Sequence, residues 1–270
     1  MSDSFLGSDQ RPANAVFDLD GVVFLGNQTI AGAGATLDAI AACGTKVLFA
    51  TNNATKTPSY ISDRIESTTG FVPEPGTVVT SATAVAATLD AEDDPVLMVG
   101  EAGLAEALTT AGRTLTNRSD LAHTVVVGLD RKITYDKLEH AATAIRRGAR
   151  FIATNTDVTF PMPDGPVPGA GAIVAAIAAA SGADPEIAGK PHPTMVRHIS
   201  ELLSPGDTWM VGDRAETDLA LARAAGWTSV LTLSGITRTV DEVPAHLRPD
   251  LVVDSIADLT RWFLPEVVAQ

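Results

Sequence analysis

The chain has 270 residues, of which 45% are hydrophobic, so it can bury a sizeable core and can divide into two domains. Its formal net charge of −14 disfavours nucleic acid and anionic membrane surfaces as partners, because both are negatively charged themselves. Cys43 is the single cysteine, which rules out an intrachain disulfide and fits a reducing compartment. The first nine residues lack the basic and apolar regions of a signal peptide, and no bland stretch is long enough to span a bilayer. We therefore predict a cytoplasmic protein with no membrane partner.

Strands and helices alternate along the first part of the chain, as the spacing of its apolar residues indicates. Gly44 follows the first predicted helix closely, in the position where a left-handed glycine commonly ends a helix. The whole stretch is typical of a βαβαβ unit. Its predicted elements are a strand over 15–17, a helix over 35–42, a strand over 47–50, a helix over 59–68 and a strand over 78–79.

A separate alternation occupies the middle of the chain, and the first one resumes after it. We therefore predict an α/β fold with a doubly wound, Rossmann-like parallel-sheet core at 10–82 and 184–270, and an inserted α/β cap domain at 83–183. The middle elements are strands over 95–100, 124–128 and 151–153 and helices over 102–110, 135–147 and 169–180. The later elements are helices over 194–203 and 218–225, the second capped by Gly226, and strands over 209–211, 229–233 and 251–253.

Two carboxylates stand one residue apart where the first strand ends. Asp18 and Asp20 are followed by Gly21, which lets the backbone turn sharply. The two acids can share one face only if the chain stays extended through Leu19. Like charges this close need a compensating cation. The alternative is an Asp cap in front of a helix, but one Asp would suffice for a cap.

Other polar residues are expected at the same edge of the sheet, because ligands of open parallel sheets bind outside the carboxyl ends of the strands. Such a pocket offers oxygen ligands for a hard cation and donors for an anion. One added divalent metal is close to required, since several carboxylates there face one lysine. The polar residues are Thr51-Asn52-Asn53 after the second run, Asp213 and Asp218 after and beyond a third run, and Lys190 in the loop Gly189-Lys190-Pro191.

With these residues the chain resembles the haloacid dehalogenase (HAD) superfamily of aspartate-nucleophile phosphatases. It looks most like subfamily IIA, the NagD-like or 4-nitrophenylphosphatase-like branch, and the resemblance covers about residues 13–263. Four family motifs appear in order. They are Asp18-Leu19-Asp20-Gly21-Val22, Thr51-Asn52-Asn53, Gly189-Lys190-Pro191, and Gly212-Asp213-Arg214 with Thr217-Asp218.

The resemblance implies a Mg²⁺-dependent phosphatase that hydrolyses small phosphate monoesters. Asp18 would form an aspartyl-phosphate, with Asp20 as general acid and base. By the same analogy, Mg²⁺ would be bound by the side chains of Asp18 and Asp213 and by the main-chain carbonyl of Asp20. Asp218 would orient Lys190 or a metal-bound water. The residues expected to hold the phosphoryl oxygens are Thr51, Asn52, Asn53 and Lys190.

The predicted cap carries the candidate specificity residues. Asn155 and Asp157 lie in Thr154-Asn155-Thr156-Asp157, where the subfamily has Thr-Asn-Pro-Asp, and Thr156 replaces the proline. The alternative interpretation is an Asn/Asp-rich turn without a role in substrate recognition. Subfamily members commonly pair through their caps, so a homodimer is a further expectation from the resemblance.

Two other functional classes stay open at this point. One is a phosphotransferase or phosphomutase that uses the same aspartyl-phosphate, and the other is a non-catalytic phosphometabolite-binding protein. The expected partner is a small phosphorylated metabolite, and glycerol phosphate, phosphoglycolate, pyridoxal phosphate, nucleotides and sugar phosphates all fit the motifs.

Overall fold

A computed structural model describes residues 11–26, 28–160 and 165–263 of the chain. Contacts within the chain divide it into two compact units. The first unit takes its residues from Met1–Ala50, Ile61–Val78 and Ile199–Gln270, and the second from Thr51–Tyr60 and Val79–His198. The predicted borders of a core and an inserted cap domain are not tested by this division and stay a prediction.

Strands and helices alternate through both units. The strands are β1 (Asn14–Phe17), β2 (Phe24–Leu25), β3 (Gln28–Thr29), β4 (Lys46–Thr51), β5 (Val78–Thr80), β6 (Val96–Val99), β7 (Leu115–Thr116), β8 (Thr124–Val127), β9 (Arg150–Ala153), β10 (Thr159–Phe160), β11 (Val167–Pro168), β12 (Glu186–Ile187), β13 (Thr208–Gly212), β14 (Thr228–Thr232) and β15 (Leu251–Val253). The α-helices are α1 (Ala33–Ala42), α2 (Pro58–Thr69), α3 (Ser81–Ala86), α4 (Ala102–Thr110), α5 (Tyr135–Arg146), α6 (Ala170–Ser181), α7 (Pro193–Ser200), α8 (Ala220–Ala225) and α9 (Thr260–Phe263).

The first unit is built on a parallel sheet with the strand order β15-β14-β13-β1-β4-β5. In the centre of this sheet, Phe17 of β1 pairs with Phe49 of β4 on one side and with Val211 of β13 on the other. Every residue of β1 and β13 is buried, as expected for strands that are covered on both faces. The carboxyl ends of these central strands therefore lie at one edge of the sheet.

Aromatic side chains fill much of the core of the first unit. The rings of Phe17 and Phe49 lie 6.2 Å apart, and Phe71 meets Phe49 edge-on at 6.1 Å. Trp209 makes a similar edge contact with Phe263 at 5.8 Å. Such pairs contribute about 0.5–1.5 kcal/mol beyond their burial, so they stabilise the strands that position the site.

The second unit has its own parallel sheet, with the order β12-β9-β8-β6-β7. Alternate residues of its strands enter two different apolar clusters, because side chains of a strand point to opposite faces. Val126 of β8 belongs to the cluster that contains Leu104 of α4, whereas Val125 belongs to the cluster that contains Ile177 of α6. Helices thus cover both faces of this sheet. The predicted α/β fold class is confirmed.

Some predicted boundaries are wrong. The helix predicted over 194–203 ends at Ser200. The helix predicted to start at 218 is preceded by a wide turn over Ala215–Leu219, in which the N–H of Leu219 donates to the carbonyl of Arg214, five residues earlier. Gly44 and Gly226 do adopt the left-handed conformation, with φ of 83° and 72°. Strands of two residues, such as β7 and β12, were not predicted, since they carry no periodicity.

Among residues 11–26, 28–160 and 165–263, no helix is both long and apolar enough to cross a membrane. The longest helices described, α2, α5 and α6, have 12 residues each. A bilayer-spanning helix needs about 20 residues. The cytoplasmic location stays a prediction.

Candidate active site

Two of the predicted site residues follow the central strands of the first unit. Asp18 comes directly after β1, and Asp213 comes directly after β13. The N–H of Asp18 donates to the carbonyl oxygen of Val211 at 2.8 Å, which extends the pairing of the two strands to the nucleophile candidate. Because chain order reverses between β1 and β13, this edge is where open α/β sheets bind ligands.

A third carboxylate joins them from the turn before α8. One carboxylate oxygen from each of Asp18, Asp213 and Asp218 lies within 4.8 Å of the others, and all three residues are buried. We call these three residues the acidic cluster. Like charges at such distances repel by roughly 4 kcal/mol per pair at an effective dielectric near 20. Buried carboxylate oxygens of this kind suit a hard cation, so the acidic cluster can hold a metal ion.

A loop after β14 fixes Asp213 from one side. The N–H of Ile236 donates to Oδ2 of Asp213 at 2.5 Å, and the N–H of Thr237 donates to its main-chain oxygen at 3.1 Å. A Cβ atom on Gly235 would lie 1.9 Å from the same Oδ2. Only glycine therefore lets this loop approach so closely, and the loop restricts the carboxylate to one position.

The same loop also touches the turn after Asp20. Ser234 donates through Oγ to the carbonyl oxygen of Gly21 at 2.7 Å, and Gly21 has a φ of 94°. Sequence reasoning missed this loop, 234–237. Its only signal is the Ser-Gly-Ile run after a strand, which is equally typical of an ordinary turn.

Asp20 lies in a different environment from Asp18. The strand ends at Phe17, the chain bends at Leu19, and Asp20 is exposed whereas Asp18 is buried. The chain therefore does not stay extended through Leu19, as a shared face would have required. Within the described residues, the group of three clustered carboxylates does not include Asp20.

The second unit holds the predicted phosphate-binding lysine through Asn52. Oδ1 of Asn52 accepts the N–H of Lys190 at 2.7 Å, and Nδ2 of Asn52 donates to the Lys190 carbonyl at 3.2 Å. The side chain of Lys190 is almost fully buried. A Cβ on Gly189 would lie 2.6 Å from Asn52 Oδ1 and 2.5 Å from the carbonyl oxygen of Thr154, so glycine is required before the lysine.

The predicted specificity residues also pack around Asn52. Asn155 donates through Nδ2 to the Asn52 carbonyl at 2.8 Å, and its Oδ1 accepts the N–H of Asp157 at 3.1 Å. Asp157 in turn accepts a long hydrogen bond of 3.4 Å from Asn52 Nδ2. These contacts form the local turn that was the alternative interpretation, and they tie it to the Asn52–Lys190 pair. A role in specificity stays a prediction.

The remaining predicted residues of this group make local contacts. Thr51 is the last residue of β4, and its Oγ1 accepts the N–H of Asn53 at 3.1 Å. Asn53 Oδ1 accepts both the N–H and the hydroxyl of Thr55, each at 2.8 Å. Burial lowers the pKa of His192, two residues after Lys190. Its imidazole is therefore neutral near pH 7 and adds no positive charge beside the lysine.

An open parallel sheet with clustered carboxylates at its central strand ends is typical of an α/β protein that binds its ligand there. A family model described as haloacid dehalogenase-like hydrolase matches residues 15–114, and a second HAD-hydrolase-like model matches 187–259. The chain is 38% identical over 246 residues to a dihydroxyacetone phosphatase from Corynebacterium glutamicum. The matched region covers 90% of this chain and 88% of that protein. The chain belongs to the haloacid dehalogenase-like hydrolases, as its motifs predicted.

Solved structures agree with this assignment. A p-nitrophenyl phosphatase from Archaeoglobus fulgidus superposes with a TM-score of 0.85 and 31% identity, over 92% of this chain and 98% of that one. A glycerol phosphate phosphatase from Mycobacterium tuberculosis, solved in complex with magnesium, superposes with a TM-score of 0.84 and 32% identity, over 95% of this chain and 78% of that one. The predicted likeness to 4-nitrophenylphosphatases is confirmed.

Proposed function

We propose that this enzyme hydrolyses small phosphate monoesters with Mg²⁺, through an aspartyl-phosphate on Asp18. The observation that carries the proposal is the acidic cluster, in which Asp18, Asp213 and Asp218 place carboxylate oxygens within 4.8 Å of one another. Like the named phosphatases it is similar to, the chain is a phosphoric monoester hydrolase.

The donor set of the acidic cluster fits Mg²⁺, which prefers carboxylate and carbonyl oxygens. The side chains of Asp18 and Asp213 and the main-chain carbonyl of Asp20 would hold the ion. When bound, it supplies the positive charge that offsets the repulsion between the carboxylates and a dianionic ester. Asp218 accepts the N–H of Arg214 at 3.1 Å, which suits a residue that supports the ligands.

The chemistry is carried by Asp18 and Asp20. Oδ of Asp18 attacks phosphorus in line, and the bond between phosphorus and the ester oxygen breaks. Asp20 gives its proton to the departing alkoxide and then takes a proton from the water that attacks the aspartyl-phosphate. That second attack releases phosphate and restores Asp18. The exposure of Asp20 agrees with a group that exchanges protons with substrate and water.

Binding of the phosphoryl oxygens is assigned to Thr51, the amides at Asn52 and Asn53, and Lys190. Support comes from the two hydrogen bonds by which Asn52 holds the Lys190 main chain. A positioned cation of this kind reduces the cost of holding a dianion.

The proposed substrates are small phosphorylated polyols and sugars. Relatives named dihydroxyacetone phosphatase and glycerol phosphate phosphatase support this class. Asn155 and Asp157 are the proposed specificity residues. The net charge of −14 argues against nucleic acid as a partner, and a homodimer stays a prediction.

The proposal is tested by trapping the phosphoenzyme. Wild-type protein is mixed with a radiolabelled phosphate monoester and Mg²⁺, quenched in acid, and split, with one half treated with hydroxylamine. An acyl phosphate on Asp18 gives protein-bound label that hydroxylamine removes. The label should disappear in Asp18→Asn and persist in Asp38→Asn, a matched change of an exposed acid on α1. Turnover without hydroxylamine-labile label, or label retained in Asp18→Asn, would refute the mechanism.

A further inference from the structure

A pocket of the first unit lies between α8, β14 and the turn before β15. It has a volume of about 290 Å³, and its lining contains two arginines, a tryptophan and an aspartate, with Leu219 and Leu247 as buried apolar walls. None of its lining residues belongs to the acidic cluster or to the proposed phosphate-binding group. The motifs found in the sequence assign nothing to it.

Two arginines line this pocket, Arg223 and Arg248. Both are exposed, and among the described residues neither guanidinium makes a hydrogen bond or an ion pair. Other arginines are engaged, as Arg131 is with Glu101 and Arg150 with Glu186. Guanidinium groups bind anions well, so two of them in one pocket can pair with a negatively charged ligand.

Within the described parts of the chain, Asp250 forms no ion pair with either arginine. Oδ2 of Asp250 accepts both the N–H and the hydroxyl of Ser229, at 2.8 and 2.7 Å. Its other oxygen can accept a donor from a ligand, because a carboxylate has about four acceptor sites. A ligand of this pocket should therefore carry hydroxyl groups as well as negative charge.

Trp227 belongs to the same lining. It is half-buried, and no ring contact within the described residues involves it. Aromatic faces of this kind bind the planar face of a base. The pocket is near the lower end of the usual range for small-molecule sites, so its ligand is small.

We propose that this pocket binds a nucleoside monophosphate. The phosphate pairs with Arg223 and Arg248, the base stacks on Trp227, and a ribose hydroxyl donates to Asp250. Each of the three parts of this ligand contacts a different kind of lining group. A free inorganic anion would contact only the arginines, and an uncharged nucleoside would leave them without a partner. The site does not depend on the reaction proposed for Asp18.

The test uses adenosine monophosphate and the indole N–H signals of the full-length protein in nitrogen-15 NMR. The chain has three tryptophans, so the Trp227 signal is assigned by its loss in Trp227→Phe. EDTA is present, and phosphorus NMR confirms that the nucleotide stays intact. We expect a saturable movement of the Trp227 signal, which binding at the acidic cluster alone would not cause.

The matched variants are Arg223→Gln/Arg248→Gln and Arg147→Gln/Arg197→Gln, which change net charge equally at exposed positions inside and outside the pocket. The first pair should raise the half-saturating concentration about tenfold or more, and the second should leave it unchanged. Adenosine and inorganic phosphate should each bind about tenfold more weakly or worse. A Trp227 signal that does not move, that moves equally in the first pair, or that responds equally to inorganic phosphate would overturn the proposal.

Discussion

Both units contain a parallel sheet with acidic residues after its strands, and they differ in the groups that lie next to those acids. In the second unit, the acids that follow β6 and β8 are neutralised within the unit. Asp130 pairs with Lys137 at 2.5 Å and Glu101 pairs with Arg131 at 2.9 Å. In the first unit, the acids that follow β1 and β13 lie against each other and against Asp218.

This difference separates a structural use of carboxylates from a functional one. An acid paired with a base at a strand end stabilises the loop that it closes, whereas buried carboxylates that converge favour a bound cation. One fold therefore hosts both, and the function follows from the site rather than from the sheet.

The largest effect is expected from exchanging one acid in each unit for its amide. Asp18→Asn should reduce kcat for nitrophenyl phosphate by about 10³-fold or more, because the proposed nucleophile is lost, while the melting temperature is maintained. Asp130→Asn should leave kcat within about twofold. It should destabilise the fold by about 1–2 kcal/mol, since the buried side chain loses the charge that its hydrogen bond from Lys137 depends on. Steady-state kinetics and denaturant unfolding of both variants measure these two effects. Equal losses of kcat in Asp18→Asn and Asp130→Asn would contradict the difference proposed between the two units.

A smaller loss is expected from crowding the acidic cluster without removing a charge. Gly235→Ala places a Cβ where Asp213 Oδ2 now lies, so the carboxylate must move. A displacement of about 1 Å costs about 10²-fold in turnover. The comparison variant is Gly100→Ala in the second unit, where the atom nearest to the added Cβ is Cδ2, at the end of the Leu104 side chain. Kinetics of the two alanine variants should differ strongly, and wild-type turnover in Gly235→Ala would show that the loop does not position Asp213.

The smallest effect concerns pH and the ion pairs at the edge of the second sheet. Hydrogen bonds from Arg150 lower the pKa of Glu186. Burial alone would raise the pKa of Asp93, but hydrogen bonds from Asp90, Thr124 and Arg150 outweigh it and lower that pKa. A carboxyl group with a lowered folded-state pKa stabilises the fold above its unfolded pKa, near 4.5 or 3.8 here, and loses that contribution as the pH falls further.

Stability of the wild type should therefore decline as the pH falls from about 5 to 3, and Arg150→Gln should flatten this decline. The expected difference is about 1 kcal/mol or less, because the pair with Glu186 is largely exposed and screened. Arg118→Gln removes a fully exposed pair with Asp120 and serves as the control. Melting curves at several pH values measure this decline in the wild type and both variants. An identical decline in all three proteins would show that Arg150 does not contribute to the pH dependence of stability.

Much of the candidate site could be predicted from the sequence, because the relevant signals are local. An apolar run that ends in Asp18 or Asp213 predicts a strand and the acid at its end, and parallel strands bring their ends to one edge. Gly44 and Gly226 marked helix ends for an equally local reason, since they occupy left-handed conformations.

The rest depends on contacts between distant segments. Ser234 and Gly235 act on residues about 210 and 20 positions earlier, and nothing in their own neighbourhood reveals this. The bend at Leu19 and the wide turn before α8 also escaped prediction, because tertiary contacts override local preference there. The exposure of Asp20 could not be predicted for the same reason.

The central claim is that the acidic cluster exists to hold a divalent cation, and thermal stability with and without Mg²⁺ tests it most directly. Saturating Mg²⁺ should raise the melting temperature of the wild type and of Asp130→Asn, but not that of Asp213→Asn, since an ion that binds only the folded state stabilises it. Equal Mg²⁺-dependent shifts in all three proteins, or no shift in the wild type, would contradict the account.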